Sequence, residues 1–346
     1  MPGLVNARLA LDRVPPPSRE AAAFHASLAG YRYTPLHRLD DLAGELGLGA
    51  VFLKDESERL GLPAFKVLGA SWAVEQAIRR RPDLELLVAA SAGNHGRAVA
   101  HVAAARGLGC RIFLPARSAA ARREAIAAEG ADVIVVDGTY EDALALARLE
   151  AAQPGAIEIA DVGDSDTARW VVDGYATLFT EIADEEEIDV LLVPAGVGSL
   201  AAAAARFGAA AAGSRVVAVE PRTAACVTAS LAAGEPTAVE TPGTTMAGLD
   251  CAEVSAAAWP DLRDGLAGTI VVDDAETHAA MRELAALGYA IGDCGAAPLA
   301  ALRALVAEPG CAALREAVGL GPSTRVALVA TEGPTDPDGY RAVVGG

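Results

Sequence analysis

Lys66 is the residue whose type and position first indicate chemistry in this sequence. The apolar run that ends at Leu53 predicts a buried strand, and Gly61 and Pro63 then keep the chain in a loop before a helical pattern begins. Lys66 therefore lies at a loop-to-helix junction between apolar neighbours. Because burial disfavours a charged amine, we expect a lowered pKa for Lys66 and a free amine that can attack a carbonyl carbon. The ordinary alternative is a lysine whose ammonium reaches solvent.

A glycine-rich turn separates the apolar run at 190–193 from an alanine-rich helical segment. The turn contains Gly196, Val197, Gly198, Ser199 and Leu200. Alternate glycines leave backbone N–H groups free at a helix N-terminus, whose partial positive charge favours a phosphate, and Ser199 adds a hydroxyl. The same turn fits the glycine fingerprint of dinucleotide-binding folds, with Glu220 ending the next strand. The turn alone thus predicts a monophosphate cofactor or NAD, and a tight turn without a ligand stays open.

Three more polar segments follow predicted strands. Asn94 can both donate and accept a hydrogen bond, which suits a ring oxygen, whereas His95 fits either an acid–base role or a helix cap. The acidic loop at 161–166 offers a carboxylate for proton transfer, or is a solvated loop before a helix. Ligands of open α/β sheets bind at the carboxyl ends of the strands, so we expect Asn94 and Thr331 to converge on Lys66 and the glycine-rich turn.

The elements that must position these residues alternate between short apolar strands and helices, which predicts an α/β protein with mostly parallel sheets covered on both faces. Strands are predicted at 51–53, 85–90, 110–114, 133–136, 156–159, 190–193, 216–219, 268–272 and 325–330. Helices are predicted at 40–46, 96–106, 119–129, 140–152, 170–183, 275–287 and 296–307. Residues before about 24 look like a poorly structured lead-in. The units from 71 to about 160 can form an insertion, although two consecutive domains fit the composition equally well.

Composition limits the possible partners and compartments. The 346 residues carry 28 Lys plus Arg against 46 Asp plus Glu, a net charge of −18, which disfavours nucleic acid and anionic membranes as partners. The cysteines are odd in number and include no C-x-x-C pair, which indicates free thiols and argues against a disulfide framework or a metal site. They are Cys110, Cys226, Cys251, Cys294 and Cys311. We find no signal peptide or membrane-spanning run, so we expect a cytoplasmic protein.

Together these motifs resemble the pyridoxal-phosphate (PLP) enzymes of the tryptophan-synthase β, or fold type II, superfamily. The matching segments, in the usual order, are 64–66, 91–96, 196–200 and 219–221. Within that superfamily the chain resembles the diaminopropionate ammonia-lyases. The segments specific to that resemblance are 54–57 with 61–62, 170–177, 246–249 and 331–336. The similarity extends from about residue 24 to residue 340.

The resemblance implies two three-layer α/β domains with the cofactor in the cleft between them. The larger domain would comprise 1–70 and 175–346, and the smaller one 71–174. Lys66 would form a Schiff base with PLP, beside Phe65, and Asn94 would lie near the 3′ oxygen. The segment from Gly196 through Val197, Gly198 and Ser199 to Leu200 would surround the phosphate. A neutral Thr331 hydroxyl at the pyridine nitrogen would leave the ring a weaker electron sink, which favours quick elimination over transamination.

The implied reaction is α,β-elimination of diaminopropionate to pyruvate and ammonia, with Lys66 as a candidate base. Asp161 matches the acid assigned in this family to the L-isomer, although the alignment can shift to Asp164. Where the family carries an Asp for the D-isomer, this chain has Ala92. The resemblance therefore implies an L-selective lyase, or one whose substrate has changed, and by analogy a homodimer.

Three alternatives stay open. Threonine and serine dehydratases also carry the sequence found at 91–95, so a hydroxy-amino-acid lyase is the nearest alternative. The glycine fingerprint with Glu220 is compatible with an NAD-dependent dehydrogenase, which would give Lys66 no task. A cofactor-binding protein without catalysis is the third, because Ala92 replaces a family acid.

Overall fold

Two mostly parallel sheets organise the chain, seen here in a computed structural model that describes residues 2–210 and 213–345. In the described residues, the strands β1 to β11 are Gly3–Val5, Leu36–Arg38, Ala50–Asp55, Leu86–Ala90, Gly109–Pro115, Asp132–Val136, Ala156–Glu158, Val190–Pro194, Arg215–Pro221, Leu266–Val272 and Arg325–Ala330. The larger sheet has the order β1-β10-β9-β8-β11-β3-β2, with only the edge strands β1 and β2 antiparallel to their neighbours. The smaller sheet, β6-β5-β4-β7, is parallel throughout.

Helices cover both faces of each sheet. The helices α1 to α14 are Arg19–Ala26, Asp40–Leu46, Lys66–Arg80, Asn94–Arg106, Ala120–Ala128, Tyr140–Ala151, Asp166–Glu185, Ser199–Ala210, Cys226–Ala233, Trp259–Gly265, Asp274–Ala286, Asp293–Ala307, Ala312–Ala317 and Pro337–Val344. One face of the larger sheet packs on α2, α11 and α12, and the other packs on α3, α7 and α8. In the smaller sheet, alternate residues of β4 face α4 on one side and α6 on the other. Both faces of the strand are therefore apolar, and its sequence does not alternate with polar residues.

The predicted fold class is confirmed, and every strand and helix predicted from the sequence is present within a few residues of its expected ends.

The prediction of a poorly structured lead-in before about residue 24 is wrong. β1 pairs with β10, and the buried Asn6 side chain donates to the backbone carbonyls of Arg263 and Leu266, both at 2.8 Å. β1 has only three residues and pairs with a strand more than 250 residues away. It is therefore too short to show the periodic pattern from which a strand is predicted.

The position of the domain boundary stays a prediction. The strands of the smaller sheet all lie between residues 86 and 158, and those of the larger sheet lie before 56 and after 189. Within the described residues, no single helix is long and apolar enough to cross a membrane. One pair, Asp293–Ala307 with Pro309–Ala317, meets the length and composition criteria only when joined across a 93° bend.

Candidate active site

Lys66 is the first residue of α3, and backbone hydrogen bonds fix the loop before it to the end of β11. The Phe65 N–H donates to the Thr331 carbonyl at 3.2 Å, and Ala64 forms an isolated antiparallel bridge with Glu332. The chain reaches this point through a left-handed turn at Leu60, with φ of 51°, and at Gly61. The start of α3 is therefore positioned directly beside Thr331.

The Lys66 ammonium forms an ion pair with Asp161. Its Nζ lies 2.8 Å from Asp161 Oδ2, and 5.3 Å and 5.8 Å from the ring centres of Phe65 and Tyr175. Burial lowers the pKa of Lys66, but the Asp161 carboxylate, together with Tyr175, outweighs it and holds the pKa above the ordinary value. The expectation of a lowered pKa is thus wrong, because that expectation included burial but not the carboxylate contributed by a distant loop.

Asp161 lies between two nitrogen bases. Burial raises its pKa, but the charges of His95 and Lys66 reverse the effect, so the pKa falls below its usual range. His95 is buried, and its Nε2 donates to the Ile159 carbonyl at 2.8 Å because a carbonyl can only accept. Its Nδ1 therefore carries the lone pair of the neutral ring, 3.7 Å from Asp161 Oδ2. Asp161 thus contacts Lys66 directly, whereas His95 Nδ1 lies beyond hydrogen-bond distance from it.

Asp161, and not Asp164, makes this contact. Asp164 is exposed and pairs with Arg169 on the surface. Ser165 then caps α7 by accepting from the Ala168 N–H. The acidic loop therefore contributes one carboxylate to the site, and its later residues start a helix.

The glycine-rich turn connects β8 to α8 and requires both of its glycines. A Cβ on Gly198, whose φ is +92°, would lie 2.5 Å from a Leu262 methyl carbon. A Cβ on Gly196 would lie 2.8 Å from Cys251 Sγ and 2.9 Å from the Gly248 carbonyl oxygen. The close approach leaves a backbone concavity at the start of α8, where the first N–H groups have no partner within the helix.

Neighbouring residues tie this turn to the rest of the site. Ser199 Oγ donates to the Asp161 backbone carbonyl at 2.8 Å, which links the turn to the loop that holds the carboxylate. The Val197 carbonyl accepts from the Ser255 N–H at 2.8 Å, and Leu200 is buried in the core. The proton of the Ser199 hydroxyl is used in its bond to the Asp161 carbonyl, but its oxygen still has lone pairs and can accept a further hydrogen bond.

Two buried hydroxyls of the site have no hydrogen-bond partner among the described residues. They are Thr331 Oγ1, at the end of β11, and the Tyr175 hydroxyl. A buried polar atom without a partner costs about 1–3 kcal/mol, so such atoms mark places where a ligand or water completes the structure. Burial raises the pKa of Tyr175 to about 12, which keeps it a hydrogen-bond donor at neutral pH.

Asn94 begins α4 on the opposite side of the cleft from α12 and the end of β11. Its side-chain amide donates to Glu332, which follows Thr331. The cleft is open to solvent between the starts of α4 and α5 on one side and the loops of the larger sheet on the other. Its lining includes Ala92, Arg97, Arg122, Thr245, Asp293 and Glu332. A small molecule can thus reach Asn94 from outside.

These residues fit pyridoxal phosphate. Lys66 supplies an amine for its aldehyde, the turn from Gly196 to Ser199 supplies backbone donors for its phosphate, and the partnerless Thr331 hydroxyl suits its pyridine nitrogen. A dinucleotide fits less well. Glu220 is buried and accepts from the Val227 and Thr228 N–H groups at the start of α9, so it caps a helix and is not available to a ribose.

Comparison with known proteins agrees with this geometry. A family model described as pyridoxal-phosphate dependent enzyme matches residues 28–332. The chain belongs to this family. Its relatives include diaminopropionate ammonia-lyases from Salmonella typhimurium, 33% identical over 94% of this chain and 91% of theirs, and from Escherichia coli, 33% identical over 94% and 90%. The resemblance predicted from the motifs is confirmed.

Solved structures give the same result. The crystal structure of the Escherichia coli diaminopropionate ammonia-lyase in complex with an aminoacrylate-PLP azomethine reaction intermediate has a TM-score of 0.89 and 32% identity, and covers 99% of this chain and 96% of that one. An L-threonine dehydratase of Corynebacterium glutamicum is 31% identical but over only 60% of this chain and 48% of its own. The fold type II, enzyme and PLP predictions are confirmed, and the NAD-dependent alternative is excluded.

Sequence reasoning left two residues of the site without a role. Tyr175 lies on α7 among apolar residues, and in that position the sequence pattern predicts a core residue. Only its buried hydroxyl, which has no partner among the described residues, indicates a role in the site. Glu332 was visible as an acid at a strand end, but nothing in its neighbours along the chain indicated that Asn94 and Cys294 would contact it. The Glu332–Asn94 and Tyr175–Lys66 contacts each join segments more than a hundred residues apart.

Proposed function

We propose that the protein is a PLP-dependent ammonia-lyase that converts L-2,3-diaminopropionate to pyruvate and two molecules of ammonia. The observation that supports this most directly is the Lys66–Asp161 pair, 2.8 Å apart. Asp161 is hydrogen-bonded to Ser199 of the glycine-rich turn, and Phe65 is hydrogen-bonded to the backbone of Thr331, whose hydroxyl has no partner among the described residues. The names of the relatives that cover nine-tenths of the chain support the choice of diaminopropionate.

In this proposal, Lys66 holds the cofactor covalently, beside Phe65, and Asn94 lies near the ring oxygen. The cofactor, when bound, supplies an electron sink for the negative charge that develops at Cα. The segment formed by Gly196, Val197, Gly198, Ser199 and Leu200 binds the phosphate with its backbone N–H groups. The partnerless Thr331 hydroxyl would hold the pyridine nitrogen as a neutral group and would leave it unprotonated.

Asp161 and Lys66 move the protons. Lys66 carries a proton in the structure and must lose it to become a nucleophile, and Asp161 Oδ2, at 2.8 Å, is the carboxylate that contacts it. Once that pairing is broken, burial raises the affinity of the Asp161 carboxylate for protons, so it can take the Cα proton. Ala92, in the same cleft, has no titratable group, and this supports a preference for the L-isomer.

The proposal also covers assembly and location. A homodimer is inferred from the habit of the superfamily. A cytoplasmic location is supported by the five free cysteines and the strongly acidic sequence.

The test is a substrate panel of L- and D-diaminopropionate, L-serine and L-threonine, with pyruvate, 2-oxobutyrate and ammonia measured. We expect kcat/KM for L-diaminopropionate to exceed that for the hydroxy amino acids by about 100-fold or more. We expect Asp161→Asn to lower the rate on the L-isomer by roughly 10²–10⁴-fold. Asp164→Asn is the matched control and should leave the rate near that of the wild type, because Asp164 lies on the surface.

Two results would contradict the proposal. Faster turnover of threonine than of diaminopropionate would assign the chain to the hydroxy-amino-acid lyases. Equal rates on D- and L-diaminopropionate would refute the stereochemical part, because no second acid stands at position 92.

A further inference from the structure

Glu332 is a buried acid of the site to which the proposed mechanism gives no task. It directly follows Thr331, is 7% exposed, and lines the open cleft. The Asn94 amide donates to one of its oxygens, and the Cys294 thiol is a second hydrogen-bond partner. Its backbone is fixed by the bridge to Ala64, two residues before Lys66. The carboxylate is therefore held in place by Asn94 and Cys294 on the segment that follows Thr331.

No cation compensates this carboxylate. Within residues 2–210 and 213–345, no Lys, Arg or His nitrogen pairs with Glu332, and Arg122 on the opposite wall of the cleft acts on it only at longer range. Burial raises the pKa of Glu332 above its usual value, and the hydrogen bonds from Cys294 and Asn94 oppose that rise without cancelling it. Asp161, by contrast, has a cationic partner in Lys66. Glu332 is thus prepared to accept a positive charge from a ligand.

Diaminopropionate brings such a charge. It differs from serine at one group, an ammonium in place of a hydroxyl on Cβ, and a carboxylate binds an ammonium far better than a neutral hydroxyl when both are removed from water. The β-nitrogen can leave as ammonia only if it carries three protons, because the departing amide ion would be a far stronger base. A carboxylate next to it raises the pKa of the ammonium and keeps it protonated.

We propose that Glu332 binds the β-ammonium of the substrate and holds it protonated, so that it selects amino over hydroxyl leaving groups. When the Cα proton has been removed, the electron pair at Cα forms the Cα–Cβ double bond. The Cβ–N bond breaks, its electron pair stays on nitrogen, and the nitrogen leaves as ammonia with the three protons it already carried. Glu332 remains a carboxylate throughout. This inference rests on the proposed diaminopropionate activity and names the group that recognises the substrate.

A different role for Glu332 would be to act on the cofactor through Asn94. The two roles are separated by comparing L-diaminopropionate with β-chloro-L-alanine, which undergoes the same elimination but loses chloride and carries no β-ammonium. A residue that orients Asn94 or the cofactor affects both substrates equally. A residue that binds the β-ammonium affects only the first.

The experiment uses Glu332→Gln in the PLP-loaded protein. Glutamine keeps the size of the side chain and an oxygen that can accept from Asn94, and removes the charge. We expect kcat/KM for L-diaminopropionate to fall about 100-fold, with kcat/KM for β-chloro-L-alanine and the absorbance of bound PLP nearly unchanged. Asp293→Asn, at the start of α12 on the same wall of the cleft, is the matched control and should affect both substrates by the same small factor.

Glu332→Asp provides a second variant, since it keeps the charge and should restore part of the activity on diaminopropionate. Equal losses on both substrates, or an altered PLP spectrum, would overturn the role of Glu332 and leave the proposed function standing. If the wild-type protein eliminates chloride from β-chloro-L-alanine but releases no pyruvate from diaminopropionate, the proposed function fails, and the inference about Glu332 fails with it.

Discussion

Two clusters of buried charge lie close together in this chain and differ in how fully their groups are paired. The first cluster, here the closed network, consists of Lys54, Glu56, Arg59 and Glu181, all with side chains no more than 1% exposed. Lys54 Nζ contacts Glu181 at 2.7 Å, and the Arg59 guanidinium contacts both glutamates at 2.5–2.8 Å. Two cations therefore face two anions, and Tyr31 and Thr34 donate further hydrogen bonds to Glu181 and Glu56, respectively.

The second cluster is the active site, where the pairing is incomplete. Lys66 and Asp161 are about one-fifth exposed, and Thr331, Tyr175 and the His95 Nδ1 have no partner among the described residues. A charge-balanced and fully hydrogen-bonded network has nothing left to offer a ligand, whereas unpaired buried groups raise the free energy of the protein until a ligand pairs with them. The closed network thus serves structure, joining the loop before Lys66 to α7, and the open cluster serves chemistry.

The largest difference between the clusters should appear in their lysines, because Lys54 and Lys66 are the only lysines in the sequence. We expect Lys66→Ala to lose at least roughly 10³-fold in activity and to lose covalently held PLP, with little change in thermal stability. Borohydride reduction of the PLP-loaded wild type, followed by peptide mapping, should place the cofactor on Lys66. Label on Lys54 would reverse the roles assigned to the two clusters.

Glu181 provides the next largest expected effect. Burial raises its pKa, but Arg59 and Lys54 outweigh burial and keep it ionised. Glu181→Gln would leave the two buried cations with one anion, and removing one partner from a buried ion pair costs about 3–5 kcal/mol. We expect a decrease of that size in the free energy of unfolding, measured by chemical denaturation. Asp161→Asn is the matched comparison in the open cluster and should cost much less, because Lys66 can still reach water.

A stability loss of equal size in the two variants would remove the distinction between a structural and a functional cluster. We expect the effects of the two variants on activity to be the reverse of their effects on stability, which strengthens the distinction between the clusters. Glu181→Gln protein that remains folded should keep most of its turnover, because Glu181 touches no group of the site, while Asp161→Asn loses turnover without unfolding.

The sequence predicted the local parts of this arrangement well. The loop-to-helix junction at Lys66 and the turn around Gly198 are set by glycine, proline and apolar residues adjacent to them, so pattern and motif were sufficient. The sequence could not distinguish the environments of the two lysines. Each lies beside an apolar run, and only the fold brings Glu181 to Lys54 and Asp161 to Lys66.

The pKa of Lys66 shows why the long-range contacts of the site could not be predicted from the sequence. Burial can be inferred from neighbours in the sequence, but the sign of the shift depends on a carboxylate 95 residues away. The same holds for β1, whose partner strand is over 250 residues distant, and for Glu332, which meets Asn94 across the cleft.

His25, beside the closed network, gives the smallest expected effect and tests whether that region tolerates an added charge. The ring is fully buried, and its Nε2 donates to the Leu68 carbonyl at 3.0 Å while Nδ1 accepts from Thr177 at 2.6 Å, so both nitrogens are used by the neutral form. Burial lowers the pKa of His25 to about 3, against 6.5 when unfolded. Between these values the unfolded chain binds the proton and the folded chain does not, so stability falls as the pH drops below 6.5.

His25→Gln should cost about 1–3 kcal/mol at neutral pH. That cost should shrink by about 2.5 kcal/mol near pH 4.5, because the variant lacks the titrating group. Chemical denaturation of both proteins across this range measures the difference, and parallel curves would show that His25 is protonated in the folded state and that the closed network can accommodate a third cation.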